Sequence, residues 1–206
     1  MIGALLFSPA MNAPVIFLSL ALLRALVFDS HGAEFPEPVD SEKVPGSPLP
    51  AAEAAARVQL PDGFVMNVFA AEPMVRNPIG MAWDGRGRMW VAENFTYAER
   101  PAKLDTRYRD RIILLEDSDH DGAADRQPVF ADDLQGLMSV ETGAGGIWAI
   151  ALPNLIFIPD ANGDGRPDGS ARTVLDGFTM PQENHHNCAN GLRWGPDGWL
   201  YGRCGA

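Results

Sequence analysis

The chain has 206 residues, 46% of them apolar, with 16 Lys and Arg against 27 Asp and Glu. That length suits one large domain or two small ones, and the apolar share is enough for a packed core. A formal net charge of −11 repels phosphate backbones, which argues against a nucleic-acid partner, and 2 cysteines cannot build a disulfide scaffold.

Residues 1–33 read as an export signal. Pro14 to Phe28 is apolar except for Ser19 and Arg24, a run too short to span a bilayer comfortably. It fits the apolar region of a signal peptide, with cleavage near Ala33. No basic segment precedes it and Arg24 interrupts it, so an uncleaved anchor and a buried helix remain rival readings; Met11 is an alternative start. The expected location is periplasmic or secreted, with membrane association if the segment is retained. Residues 34–57, rich in Pro, Ala, Glu and Ser, read as an exposed tether, with one short helical turn from Ala51 to Arg57. The folded domain is expected over residues 58–206.

The 21 glycines and 17 prolines follow no periodic tract, which suits an all-β chain with many turns. Phe64 to Ala70 alternates as a strand. Gly80 to Val91 reads strand, Asp84-Gly85-Arg86-Gly87 turn, strand, and is followed by Glu93-Asn94. That polar pair either points into a site or caps a loop. Residues 98–109 form a charged insertion. Arg111 to Glu116 is an apolar strand, and Val129-Phe130-Ala131 is its return. Gly143-Ala144-Gly145-Gly146 marks a close backbone approach or a corner. Leu155 to Ile158 and Thr173 to Leu175 repeat the strand-and-return grammar. Gly191 to Gly202 then copies the Gly80 to Val91 hairpin around Gly195-Pro196-Asp197-Gly198. A weaker copy is Gly146 to Ile150 followed by Leu155 to Ile158. Repeats of several short strands every 40–50 residues or so are the mark of a β-propeller. The chain holds about three such units, so it is expected to be the N-terminal part of a propeller that closes with further blades.

Two loops share the pattern D-x-[DN]-x-D-G-x-x-D and start 43 residues apart, at Asp117 and Asp160. Calcium takes six to eight oxygens or thereabouts, and a tight loop converges positions one, three and five. The first loop offers Asp117, Asp119, Asp121, the Ala123 carbonyl and Asp125. The second offers Asp160, Asn162, Asp164, the Arg166 carbonyl and Asp168. Pro128 and Ala171 stand where an EF-hand carries its Glu, so these are hairpin loops with a structural ion, or else acidic turns that bind nothing.

Glu183 to Asn190 is a polar cluster set just before a strand, with His185, His186, Asn187, Cys188 and Asn190. A polar loop on a rigid scaffold is where chemistry often sits; the rival reading is a plain surface loop. Cys188 and Cys204 flank the hairpin and are expected near its open end. Whether they form a disulfide stays open.

His186 to Gly202 (His-Asn-Cys-Ala-Asn-Gly-Leu-Arg-Trp-Gly-Pro-Asp-Gly-Trp-Leu-Tyr-Gly) resembles the signature of the membrane-bound dehydrogenase domain of planctomycete and verrucomicrobial proteins. That domain is similar to the soluble quinoprotein glucose/sorbosone dehydrogenases. Leu60 to Phe64, the Trp83 to Asn94 hairpin and both acidic loops carry the same resemblance, which covers residues 58–206. It implies a six-bladed, TolB-like β-propeller, often joined to helical repeats and a cytochrome c domain. It also implies pyrroloquinoline quinone as hydride acceptor and a histidine before the Gly-Pro-Asp-Gly turn as general base. That residue is His186 here, one position further from Leu192 than the family's histidine usually stands, so His185 is its rival. The quinone-holding arginines and lysine are expected in further blades.

Three functions follow as expectations: a quinone-dependent dehydrogenase acting on a sugar or other alcohol, a non-catalytic calcium-stabilised module binding glycans or proteins, and a lactonase-like metal hydrolase. The last would draw on Glu93, Asn154 and Asn190. A partner cytochrome would accept electrons in the first; no Cys-x-x-Cys-His haem motif occurs in this chain.

Overall fold

The structure, a computed structural model, describes residues 48–97, 104–179 and 188–204. The export signal, most of the tether, and His185, His186 and Asn187 lie outside the described residues. Among the described residues the fold is all-β and antiparallel, with one short helix, α1 (Ala51–Ala56). No helix of the described residues is long and apolar enough to cross a membrane.

The first sheet runs in sequence order through β1 (Pro78–Trp83), β2 (Met89–Glu93), β3 (Asp110–Leu115) and β4 (Val129–Leu134). The second repeats that order with β5 (Leu137–Gly143), β6 (Gly146–Ala151), β7 (Asn154–Pro159) and β8 (Arg172–Leu175). A hairpin of β9 (Asn190–Trp194) and β10 (Leu200–Arg203) follows. The first strands of the three units are neighbours, β5 lying between β1 and β9.

Side-chain alternation explains the stacking. On β2 and β3, Trp90, Ala92, Ile112 and Leu114 face the second sheet, where they meet Val140, Ile147, Ile156 and Ile158. Val91, Ile113 and Leu115 face the other way, under Phe69, Met74 and Val75. β3 is thus buried on both sides, which is why it reads as an unbroken apolar run. Each fully buried aliphatic or aromatic side chain contributes about 1.5–3 kcal/mol. A smaller core of Met138, Ile150, Leu155, Cys188, Ala189 and Leu192 joins the second sheet to the hairpin.

Two expectations are corrected. Phe64 to Ala70 is not a strand. Its alternation is present, but among the described residues no neighbouring strand pairs with it, and Phe64, Val65 and Met66 are exposed. Its C-terminal end is held by the Ala124 N–H donating to the Phe69 carbonyl (2.7 Å). The weaker hairpin copy is also out of phase. Gly80–Trp83 and Gly191–Trp194 belong to first strands, whereas Gly146–Ile150 lies in β6, a second strand. The hairpin equivalent to β1–β2 is β5–β6, turning at Ala144-Gly145. Gly143 to Gly146 is therefore both a corner and a close approach. Ala144 and Gly145 have φ of 51° and 80°, and a Cβ on Gly146 would lie 2.3 Å from the Ile158 carbonyl oxygen.

Candidate functional site

The meander puts different chemistry on the two edges of the sheets. One edge carries the hairpin turns at Gly85–Gly87, Ala144-Gly145 and Gly195–Gly198, and both acidic loops, which join β3 to β4 and β7 to β8. The opposite edge carries the connections from β2 to β3, from β4 to β5, and from β8 to β9. Only the two ends of the last are described; His185, His186 and Asn187 belong to it in sequence and lie outside the described residues.

The two acidic loops are wired alike. Asp117 accepts the N–H groups of Asp121 (3.2 Å) and Gly122 (2.9 Å), and Asp160 accepts those of Asp164 (3.0 Å) and Gly165 (3.1 Å). Asp121 takes the Ala123 N–H (2.8 Å), and Asp164 takes that of Arg166 (2.9 Å). Asp125 takes the Ser118 N–H (3.0 Å), and Asp168 takes that of Ala161 (2.6 Å). Positions one, five and nine thus fold the loop through its own amides. Gly122 and Gly165 adopt the positive φ that the sixth position requires, 94° and 80°. Burial works to raise the Asp117 carboxyl, but amide bonds from Gly122, His120 and Asp121 outweigh it and hold it below the ordinary value. Hydrogen bonds from Ser118 do the same for Asp125.

These amide bonds use only part of each carboxylate's acceptor capacity. Carboxylate oxygens of Asp117, Asp119 and Asp121 lie within 4.8 Å of one another, a donor set that suits a hard cation such as calcium. In the second loop an amide, Asn162, takes the third position and donates to Asp164 (3.1 Å).

The second loop is also clasped by the first sheet, a contact the residue pattern did not disclose. Arg86 donates to the carbonyls of Asn162 (3.2 Å) and Gly163, and Arg88 donates to Gly163 (3.0 Å). Asp84 anchors the clasp. It accepts from the Arg86 and Arg88 amides (2.9 and 3.0 Å), from Arg88 Nε (2.8 Å) and from Trp90 Nε1 (3.1 Å). Burial opposes ionisation of Asp84, yet these bonds leave its carboxyl below the usual range.

On the opposite edge Glu93 and Asn94 resolve as structural. Glu93 is fully buried and binds the Arg111 guanidinium and the Arg76 N–H (2.6 Å). Asn94 caps the loop, accepting the Tyr97 N–H (2.7 Å) and donating to the Leu137 carbonyl (2.6 Å). Beside them Asp110 accepts four bonds, from the amides of Phe95 (2.7 Å), Thr96 (2.8 Å) and Leu137 (2.8 Å) and from the Thr96 hydroxyl (2.7 Å). Nothing local in the sequence marks this node, because its donors come from two other segments, Phe95-Thr96 and Leu137.

The described ends of the histidine-bearing connection also lie on this edge. The Phe178 N–H donates to the Pro153 carbonyl (2.9 Å) in the β6–β7 turn, and the Leu192 N–H donates to Ser139 Oγ (3.0 Å) on β5. Asn190 braces the re-entry: its amide nitrogen donates to the Cys188 carbonyl (2.9 Å), and its oxygen accepts from Arg203 Nε (2.9 Å). Asn154, the remaining candidate for a lactonase-like site, pairs with Ala151 across the β6–β7 turn.

This architecture is that of an all-β protein of sequential antiparallel sheets with loop chemistry split between two edges. Residues 50–206 match the family described as a domain of unknown function, DUF7133, and the chain belongs to that family. No curated protein and no solved structure matches it.

Proposed function

We propose that this chain supplies about three blades of a six-bladed, calcium-supported β-propeller in an exported quinoprotein-like dehydrogenase that oxidises a sugar or other alcohol. The separation of the two edges carries this reading. The acidic loops close hairpins on one edge, where a structural ion pins two strands. The histidine-bearing connection springs from the other, beside the starts of the neighbouring first strands β5 and β9.

Two further features support a larger ring of blades. Met81 and Trp83 are 52% and 50% exposed on the outward side of β1, and Trp199 and Tyr201 are 72% and 54% exposed on the hairpin. Such apolar flanks fit cover by neighbouring blades.

Pyrroloquinoline quinone, when bound, accepts the hydride. This chain's part is proton and position: His186 takes the alcohol proton, His185 is its rival, Asn187 orients the imidazole or the substrate, and Asn190 braces the connection through Cys188 and Arg203. A haem-bearing cytochrome partner or domain would then collect the electrons.

Dye reduction by the full-length protein, reconstituted with quinone and calcium and offered a panel of sugars and alcohols, tests this. Quinone- and substrate-dependent reduction is expected; its absence across the panel overturns the reading. A calcium-stabilised binding module has its own supporting observation. A cleft of about 630 Å³ is lined by Phe69, Trp83, Arg86, Glu116, Asp117 and Arg126, an aromatic wall with charges of both signs suited to a glycan.

A further inference from the structure

We propose that Cys188 and Cys204 are a dithiol pair that closes into a disulfide across the open end of the β9–β10 hairpin. No disulfide joins them in the structure. The hairpin register nevertheless brings them together. Arg203 pairs with Asn190 after a register shift, and Cys204 and Ala189 are the next residues beyond that last pair, Ala189 being one residue from Cys188. Were the spacing of that last pair kept, with paired strands about 5 Å apart at Cα and an advance of about 3.4 Å per residue, the two α-carbons would lie roughly 6 Å apart, inside the range a disulfide spans.

A regular ladder would send neighbours one residue out of register to opposite faces. Here the register already shifts between Tyr201 and Arg203, and Cys188, Ala189 and Cys204 lie beyond the last pair, so strict alternation does not bind them. Both cysteines border the same apolar residues. Cys188 is buried in the cluster with Leu155, Ala189 and Leu192. Cys204 lines a cavity of about 200 Å³ walled by the same three residues. Asn190 holds the two arms together through the Cys188 carbonyl and Arg203.

The chemistry needs an external disulfide as oxidant. Exposed Cys204, as thiolate, attacks one sulfur of that disulfide and releases one external thiolate. The Cys188 thiolate then attacks Cys204 Sγ, breaks the mixed disulfide and releases the second. Two electrons pass from the pair to the external disulfide, and the two thiol protons go to the released thiolates through solvent. Burial, with a smaller contribution from Cys204, pushes the Cys188 thiol up, so the second step should quicken as pH rises.

The pair lies on the edge from which the histidine-bearing connection enters β9, and Cys188 directly follows Asn187. Closure would fix the root of that connection covalently. The inference stands on the hairpin alone, so failure of the dehydrogenase reading leaves it intact.

The test treats the full chain with oxidised glutathione, alkylates the remaining thiols and weighs the intact protein and its digest. The expected result is a monomer lighter by about 2 Da, with no alkylatable thiol at either position and one cross-linked peptide pair. C188S should instead accumulate glutathione on Cys204. A wild-type chain that stops at the mixed disulfide, keeps both thiols, or cross-links only between molecules would overturn the proposal.

Discussion

Asp110, the first residue of β3, accepts the N–H of Leu137, the first residue of β5, at 2.8 Å, and so ties the start of the second sheet to the first. The same carboxylate holds Phe95 and Thr96, and the Thr96 hydroxyl in turn accepts the Gly136 N–H (3.0 Å). Asp110→Ala strands several buried donors at once. Each costs about 1–3 kcal/mol, so the expected loss is roughly 3 kcal/mol or more by denaturant titration, against less than about 1 kcal/mol for exposed Asp133→Ala.

The same node sets a pH dependence. Desolvation raises the Asp110 carboxyl above its ordinary value, although its hydrogen bonds pull the other way. In the window above the ordinary carboxylate value the folded chain holds a proton that the unfolded chain has released. Its contribution to stability therefore falls as pH rises through that window. Denaturant midpoints measured from acid to neutral pH should decline less steeply in Asp110→Asn than in wild type; identical slopes would assign the node no titration.

The β5–β6 corner separates steric cost from conformational cost. A methyl on Gly146 meets the Ile158 carbonyl at 2.3 Å and the Phe157 ring at 2.7 Å, whereas one on Gly145 meets nothing within 4 Å but sits at φ 80°. Gly145→Ala should cost about 1–2 kcal/mol. Gly146→Ala should cost at least as much as the roughly 1–3 kcal/mol of an overpacked core, because backbone cannot yield as a side chain does. Thermal melts of the two variants check the order.

Local patterns made the two hairpins, the apolar β3 and β7 and both acidic loops legible, since each declares itself within a dozen or so residues. β5 was not legible. Polar Ser139 and Glu141 interrupt its apolar pattern, yet both are buried against the hairpin, where Ser139 accepts the Leu192 N–H and Glu141 faces Arg193 at 3.5 Å. Missing that strand shifted the phase of the weaker repeat. Phe64 to Ala70 failed for the opposite reason: alternation shows a face to bury but not a partner to pair with. The Asp110 node and the Arg86–Arg88 clasp depend on contacts between distant segments, which spacing along one segment does not encode.

Calcium should stabilise the domain through the acidic loops. A gain of about 2.7 kcal/mol is expected at a hundredfold excess over Kd. Because Asp121 and Asp164 each hold a loop amide, their Ala variants should lose stability even without metal. The diagnostic quantity is therefore the difference between melts with calcium and with chelator, which should shrink in both variants. The lowered carboxyls of Asp117 and Asp125 contribute stability above the ordinary carboxylate value and lose it as pH falls through their folded values. A melting temperature of full-length wild type that ignores chelator would make both loops plain acidic turns.

The histidine prediction rests on the dehydrogenase reading. The alcohol proton must leave as hydride departs, so the base must be a neutral imidazole and turnover should fall at acid pH. Positioned base catalysis contributes about 10²–10⁴-fold, and His186→Ala in the full-length, quinone-loaded protein should lose that factor in kcat while still binding quinone. His185→Ala should lose far less, since adjacent side chains tend to point apart. Asn190→Ala should act differently from either. It removes the brace between the Cys188 carbonyl and Arg203, so the position of the connection suffers while the base remains. Its kcat should drop without displacing the acid limb of the pH profile, whereas His186→Ala should abolish that limb. A large loss in His185→Ala with a small one in His186→Ala would transfer the role to His185. Wild-type turnover in both would remove general-base catalysis from this connection altogether.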